Sequence, residues 1–143
     1  MKLKPEAAFF SIVAARAAVE CPWATFEREV NGAFVAHRLR HTDAHPVTLG
    51  RAGRPDWRIE MDGGRVAFME LKASGDVLSP AQREQLSVLA ARRIPAIVLA
   101  ATTVEGMHGE SIRFCGWLCA LVGPRGRVDR PWLERHRKQL LVS

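Results

Sequence analysis

The chain has 143 residues, with 21 Lys and Arg against 15 Asp and Glu, for a formal net charge of +6 with histidine neutral. A hydrophobic fraction of 48% and a charged fraction of 25% suit one compact domain with a sizeable core and exclude collagen-like, low-complexity and wholly disordered chains. The longest apolar stretch, from Ile94 to Ala101, falls far short of the ~18 to 20 residues of a membrane-spanning helix, so no membrane span is expected.

From Pro5 the sequence predicts a helix. Proline suits its first turn, Glu6 complements its positive end, and Phe9, Ile12, Val13 and Arg16 recur at helical spacing before Cys21-Pro22. Lys2 and Lys4 precede a small apolar run, but Ser11 dilutes it and Arg16 would sit in the cleavage site, so a helix is preferred to a secretory leader. The segment Trp23 to Arg40 alternates only loosely, and at least one strand is expected in it. Residues His41 to Pro55 hold two prolines and two glycines and read as a loop.

Trp57, Ile59 and Met61 alternate with Arg58 and Glu60, and Asp62-Gly63-Gly64 turns the chain into the apolar run Val66 to Leu71. This is a β-hairpin whose second strand lies inside a covered sheet. Ser79-Pro80-Ala81-Gln82 starts a helix, with Ser79 as N-cap and Leu86, Leu89 and Ala90 on its buried stripe. Ala96 to Ala101 is then a buried strand, returned parallel by the helix crossover. Gly109 to Val122 reads as a further helix, weakened by Gly116. Residues 1–123 are expected to form the domain and residues 124–143 a basic extension carrying Arg125, Arg127, Arg130, Arg135, Arg137 and Lys138.

Three charged groups flank the hairpin. Glu70 and Lys72, two apart on a strand, project from one face. Asp56 lies seven residues before Gly63 and Glu70 seven after it, so a three-residue loop of Asp62, Gly63 and Gly64 places them opposite each other, with Cβ atoms ~4.5 to 5.5 Å apart. A two-residue Gly63-Gly64 turn would instead pair Asp56 with Leu71 and point the groups apart. Two carboxylates so close repel unless a cation compensates, and hard oxygen ligands suit Mg²⁺ or Mn²⁺ better than Zn²⁺. With a lysine beside them, they describe metal-assisted phosphodiester hydrolysis.

Gly53-Arg54-Pro55-Asp56, Glu70-Leu71-Lys72 and Leu78-Ser79-Pro80-Ala81-Gln82 together resemble the PD-(D/E)XK nucleases, and more narrowly the small VRR-NUC group of phages and bacteria. The resemblance covers about Gly53 to Ala101. It implies an α/β, restriction-endonuclease-like core with a mixed central sheet flanked by helices, in the order α-β-β-β-α-β. It assigns Asp56, Glu70 and the Leu71 carbonyl to a metal, Mg²⁺ or Mn²⁺. It makes Lys72 the water-positioning residue and Gln82 the glutamine of the following helix. The family also places a glutamate on its first helix, for which Glu6 is the choice here, ahead of Glu20 and Glu27.

The expected activity is metal-dependent hydrolysis of DNA, with RNA left open, and the resemblance permits a structure-specific cut such as junction resolution by a homodimer. Arg54 and the arginines and lysine of the extension are candidate phosphate contacts, with Trp132 able to stack a base or anchor the extension. The alternative is a non-catalytic nucleic-acid-binding module or a subunit of a larger nucleoprotein assembly.

Blander readings compete at each position. An isolated Glu-x-Lys is commonly a solvated pair, and Gln82 completes a capping box with Ser79. His37, His41 and His45 would share a face on a helix, but Pro46 opposes that helix, so solvated or nucleic-acid-facing histidines are expected. Three cysteines, Cys21, Cys115 and Cys119, make no disulfide framework and point to a reducing cytoplasm, with Cys115 and Cys119 as small buried groups.

Overall fold

The computed structural model describes residues 4–30, 33–36, 55–61 and 64–122. Helix α1 (Pro5–Glu20) starts with proline in its first turn and ends at Cys21, whose N–H bonds the Ala17 carbonyl. Phe9, Val13 and Ala17, four apart, and Phe10 beside them form its buried face. The ambiguous segment that follows is two antiparallel strands, β1 (Thr25–Val30) and β2 (Ala33–Ala36). Then come β3 (Trp57–Met61), β4 (Arg65–Lys72), helix α2 (Pro80–Ala91), β5 (Ala96–Ala100) and helix α3 (Val104–Val122). The α/β plan holds, with a hairpin strand and a closing helix added to the expected order.

The sheet runs β2-β1-β3-β4-β5, antiparallel except for β4 beside β5. β4 is apolar on both faces because both are covered: Ala67, Met69 and Leu71 face α1 and α3, while Phe68 faces α2. The larger core lies on the α1 and α3 side. Phe10 stacks on Trp57 with centroids 3.7 Å apart, and Phe26 and Phe114 meet at 6.0 Å. The α2 side carries a smaller buried cluster of Phe68, Leu86, Ala96 and Val98. Of the expected α2 stripe only Leu86 is fully buried; Leu89 packs partly buried against the same cluster, because α2 covers only the β4 and β5 half of this face.

α3 begins five residues before the expected Gly109. Thr103 caps it, its hydroxyl accepting from Gly106 N–H at 3.0 Å while its carbonyl accepts from Met107. A Cβ at Gly106 would lie 3.2 Å from the Ala101 Cβ, so the poor helix former is present for close approach to the end of β5. Arg113 and Glu110 of α3 also reach the Val98 carbonyl (2.7 Å) and the Ala100 N–H (3.1 Å), covering the open edge of β5. Among the described residues no helix is long and apolar enough to cross a membrane. Of the expected loop from His41 to Pro55, residues 41–54 lie outside the described residues, as do the three spaced histidines and the extension from residue 124.

Candidate active site

The hairpin adopts the register that three loop residues require. Met61 faces Arg65, Ile59 faces Ala67 and Trp57 faces Met69, so one step further along the ladder Asp56 stands opposite Glu70. Gly64 has φ +73, a left-handed conformation suited to the closing residue of such a loop. The Asp56 carbonyl accepts from Glu29 N–H at 2.8 Å, which ties the residue to β1 just outside the β3 ladder.

Glu70 and Lys72 alternate with Met69 and Leu71, which go into the main core, and so fall on the α2 face of β4. Glu70 is 3% exposed, the most buried carboxylate described. Burial, then a hydrogen bond and charge repulsion from Asp56, push its pKa up to about 9, against the opposing pull of Lys72. Glu6 is brought from the first turn of α1 to the same place. Its carboxyl is raised by burial and by Asp56, and lowered by Arg28 and Lys72. The docking of α1 sets this approach, since Phe10, one turn after Glu6, stacks on Trp57, the neighbour of Asp56.

Gln82 serves two partners at once. Its Oε1 accepts from Ser79 N–H (2.9 Å) and its N–H donates to Ser79 Oγ (3.1 Å), completing the capping box. Its Nε2 donates to Glu70 Oε1 at 3.1 Å. The cap and the site contact use opposite ends of the amide, so neither reading of this residue displaces the other. The link from β4 to α2 turns at Gly75, with φ +75, which lets the α2 N-terminus return over Glu70.

The structure therefore brings together Glu6, Asp56, Glu70, Lys72 and Gln82, and adds Arg28. Sequence reasoning passes over Arg28 because nothing in its own segment marks it. Its place follows from the β1–β3 register, which sets it opposite Trp57, with the guanidinium 6.0 Å from the ring centroid. The two other candidate glutamates are engaged elsewhere. Glu20 pairs with Arg16 at the far end of α1, and Glu27 pairs with Arg58 across β1 and β3. Arg54, Arg125, Arg127, Arg130, Arg135, Arg137, Lys138 and Trp132 lie outside the described residues.

As a donor set, the hard oxygens of Asp56 and Glu70 fit a divalent cation such as Mg²⁺ or Mn²⁺. A buried carboxyl with so high a pKa marks a place short of positive charge. Asp56 raises the carboxyl pKa of both Glu70 and Glu6, so each of the three acids feels its neighbours' charge. Among the described residues no group of three or more His, Cys, Asp or Glu side chains is arranged to hold a metal. The fit rests on two carboxylates completed by main-chain oxygen.

A mixed sheet with a carboxylate-rich hairpin end and a helix returning over it defines the class of restriction-endonuclease-like α/β domains. The model of the VRR-NUC domain matches residues 17–103, more than half of the chain. The chain belongs to the VRR-NUC domain family, a family of PD-(D/E)XK-like nuclease domains. The match contains Asp56, Glu70, Lys72 and Gln82 and begins after Glu6. No curated protein and no solved structure matches the chain. Family membership implies nuclease activity on a nucleic acid, in a superfamily whose members typically use divalent metals.

Proposed function

We propose that the protein is a divalent-metal-dependent nuclease that hydrolyses DNA phosphodiester bonds, with residues 1–123 as the catalytic domain and residues 124–143 as a basic extension that grips the backbone without reading sequence. One observation carries this reading: the hairpin register sets Asp56 opposite Glu70 at the end of a strand that presents Lys72 on the same face. A binding module has no use for two adjacent carboxylates facing a polyanion.

Asp56 and Glu70, with the Leu71 carbonyl, would hold Mg²⁺ or Mn²⁺. When bound, such a cation lowers the pKa of a water and offsets charge on a phosphoryl oxygen. Lys72 supplies an ammonium group beside Glu70 that can hydrogen-bond the attacking water and oppose the charge gathering on the phosphate. Gln82 fixes the orientation of Glu70 through its Nε2 donor, and the capping box fixes Gln82. Glu6 closes the carboxylate cluster from α1. Arg28, beside Glu6 and away from β4, stands where it could meet a neighbouring phosphate.

The test is cleavage of labelled single-stranded, duplex, flap and four-way-junction DNA in Mg²⁺, Mn²⁺ or EDTA, run beside Lys72→Ala. Metal-dependent cutting that disappears in the variant while DNA affinity stays supports the reading. Preference for the junction would point to a structure-specific role, and would require a dimer, since a two-fold junction needs two sites. Wild-type protein that binds DNA tightly but cuts none of these substrates would favour the alternative, a binding module or an assembly subunit.

A further inference from the structure

Away from the carboxylate cluster, the two ends of the chain's outer helices meet through sulfur. Cys21 is the residue that ends α1, and Cys119 lies in the last turn of α3. They are 98 positions apart in sequence, yet their Sγ atoms are 3.4 Å apart. Cys115 sits one turn before Cys119; its backbone carbonyl lies 3.9 Å from Cys21 Sγ, and its thiol is a further neighbour of Cys21. The three thiols cluster about Cys21 but differ in access: Cys119 is exposed, whereas Cys21 and Cys115 are buried. The exposure of Cys119 corrects the expectation that both α3 cysteines are small buried groups.

We propose that Cys21 and Cys119 form an oxidisable dithiol, a modification site at which a hydroperoxide closes a reversible intramolecular disulfide between α1 and α3. The exposed Cys119 reacts first. Its thiolate attacks the peroxide oxygen, giving a sulfenic acid and releasing water or an alcohol. Cys21 Sγ then attacks the Cys119 sulfur, and the leaving hydroxide takes the Cys21 proton and departs as water. The pair loses two electrons and two protons, the peroxide is reduced by two electrons, and an added dithiol reverses the change by exchange. Burial, with the neighbouring thiols, pushes the Cys21 pKa up, so Cys21 is not the first site of attack, and it becomes the attacking group only as its proton passes to the leaving hydroxide.

A disulfide needs sulfurs ~2.05 Å apart, so the pair must close by about 1.4 Å. Both residues are placed where the backbone yields, at the end of one helix and in the last turn of another. A cleft of about 300 Å³, lined by Ala17, Cys21, Pro22 and Ala24 among others, leaves room beside the α1–β1 connection for that movement. Glu6 is 15 residues before Cys21, roughly 22 Å along the helix, so the bond forms remote from the carboxylate cluster. Its effect is to staple the first helix to the last.

The experiment treats the full-length protein with hydrogen peroxide at low excess, counts thiols after denaturation, maps peptides without reduction and records melting temperature. The expected result is a fall from three thiols to one, a Cys21–Cys119 cross-linked peptide in monomeric protein, and a melting temperature higher by about 5 to 10 °C that dithiothreitol reverses. Cys119→Ser, a change at an exposed position, should keep both remaining thiols and show no thermal shift. Three persisting thiols, a Cys119–Cys119 link between two molecules, or Cys119 oxidised to sulfinic acid with Cys21 free would each overturn the proposal.

Discussion

The two faces of the sheet are built for different work. Beneath α1 and α3 runs a continuous apolar core, from Phe9 and Val13 through Trp57, Met69 and Leu99 to Phe114 and Leu121, with Ser111 buried between the two helices on Arg16. Beneath α2 the apolar cluster is small, and on the same strand it gives way from Phe68 to Glu70, a carboxyl buried at a cost that packing alone would never select. Stability is concentrated on one face, and its surplus permits an electrostatically unfavourable arrangement at the end of the other. Substitutions should therefore separate: those on the first face should remove the fold, and those on the second should remove activity from a folded protein.

The largest effect is expected on the first face. Phe114→Ala removes a fully buried ring that contacts Phe26 and Trp117, and should cost about 4 kcal/mol, lowering the melting temperature by more than about 10 °C. Lys72→Ala should do the opposite, lowering cleavage by about 10²- to 10³-fold with melting temperature nearly unchanged. If Lys72→Ala unfolds the protein, or Phe114→Ala leaves its stability intact, the division between the faces does not exist.

A third effect is smaller and depends on pH. Glu70 has an ordinary value of 4.5 when exposed and about 9 in the fold, so between these values the native state retains a proton that the unfolded state has lost. This contribution to stability is fully present below about pH 4.5 and declines as pH rises through about 9. In EDTA the melting temperature should fall across that window, and Glu70→Gln, which cannot ionise, should flatten the decline. An unchanged slope in Glu70→Gln would show that the buried carboxyl is not the source.

Much of this division was legible in the sequence, for identifiable reasons. The alternation of Trp57, Ile59 and Met61 and the turn at Asp62-Gly63-Gly64 defined the hairpin, but two- and three-residue loops were both open to the sequence, and only the pairing of Met61 with Arg65 decides the register. At least one strand was expected between Trp23 and Arg40, but the number and bounds of β1 and β2 were not legible, because Glu27, Arg28 and Glu29 interrupt any period. Their strand identity comes from pairing, with Glu27 meeting Arg58 and Phe26 entering the core. The start of α3 was hidden because Gly106 and Gly109 lower helix propensity, while the reason for Gly106 lies in its approach to Ala101. Glu6 was reached through resemblance alone. Its physical placement depends on Phe10 stacking on Trp57, a long-range contact that no local pattern announces.

Gln82 is where the two kinds of work overlap in one side chain, and it offers the finest separation. Its Oε1 stabilises α2 through Ser79 N–H, and its Nε2 holds Glu70. Gln82→Glu preserves an acceptor for Ser79 N–H and places negative charge in the first turn of the helix, where it is favourable, so the capping box should survive. The same substitution replaces the donor to Glu70 with an acceptor and adds a further carboxylate to a place already short of positive charge. Cleavage should fall about tenfold, while the melting temperature changes by no more than a few degrees. Ser79→Ala is the complement, since it removes the cap at a cost of about 1 kcal/mol and leaves the Nε2 donor in place. Equal losses of activity in the two variants would mean that Gln82 acts only by building the helix, and that Glu70 is oriented by its strand.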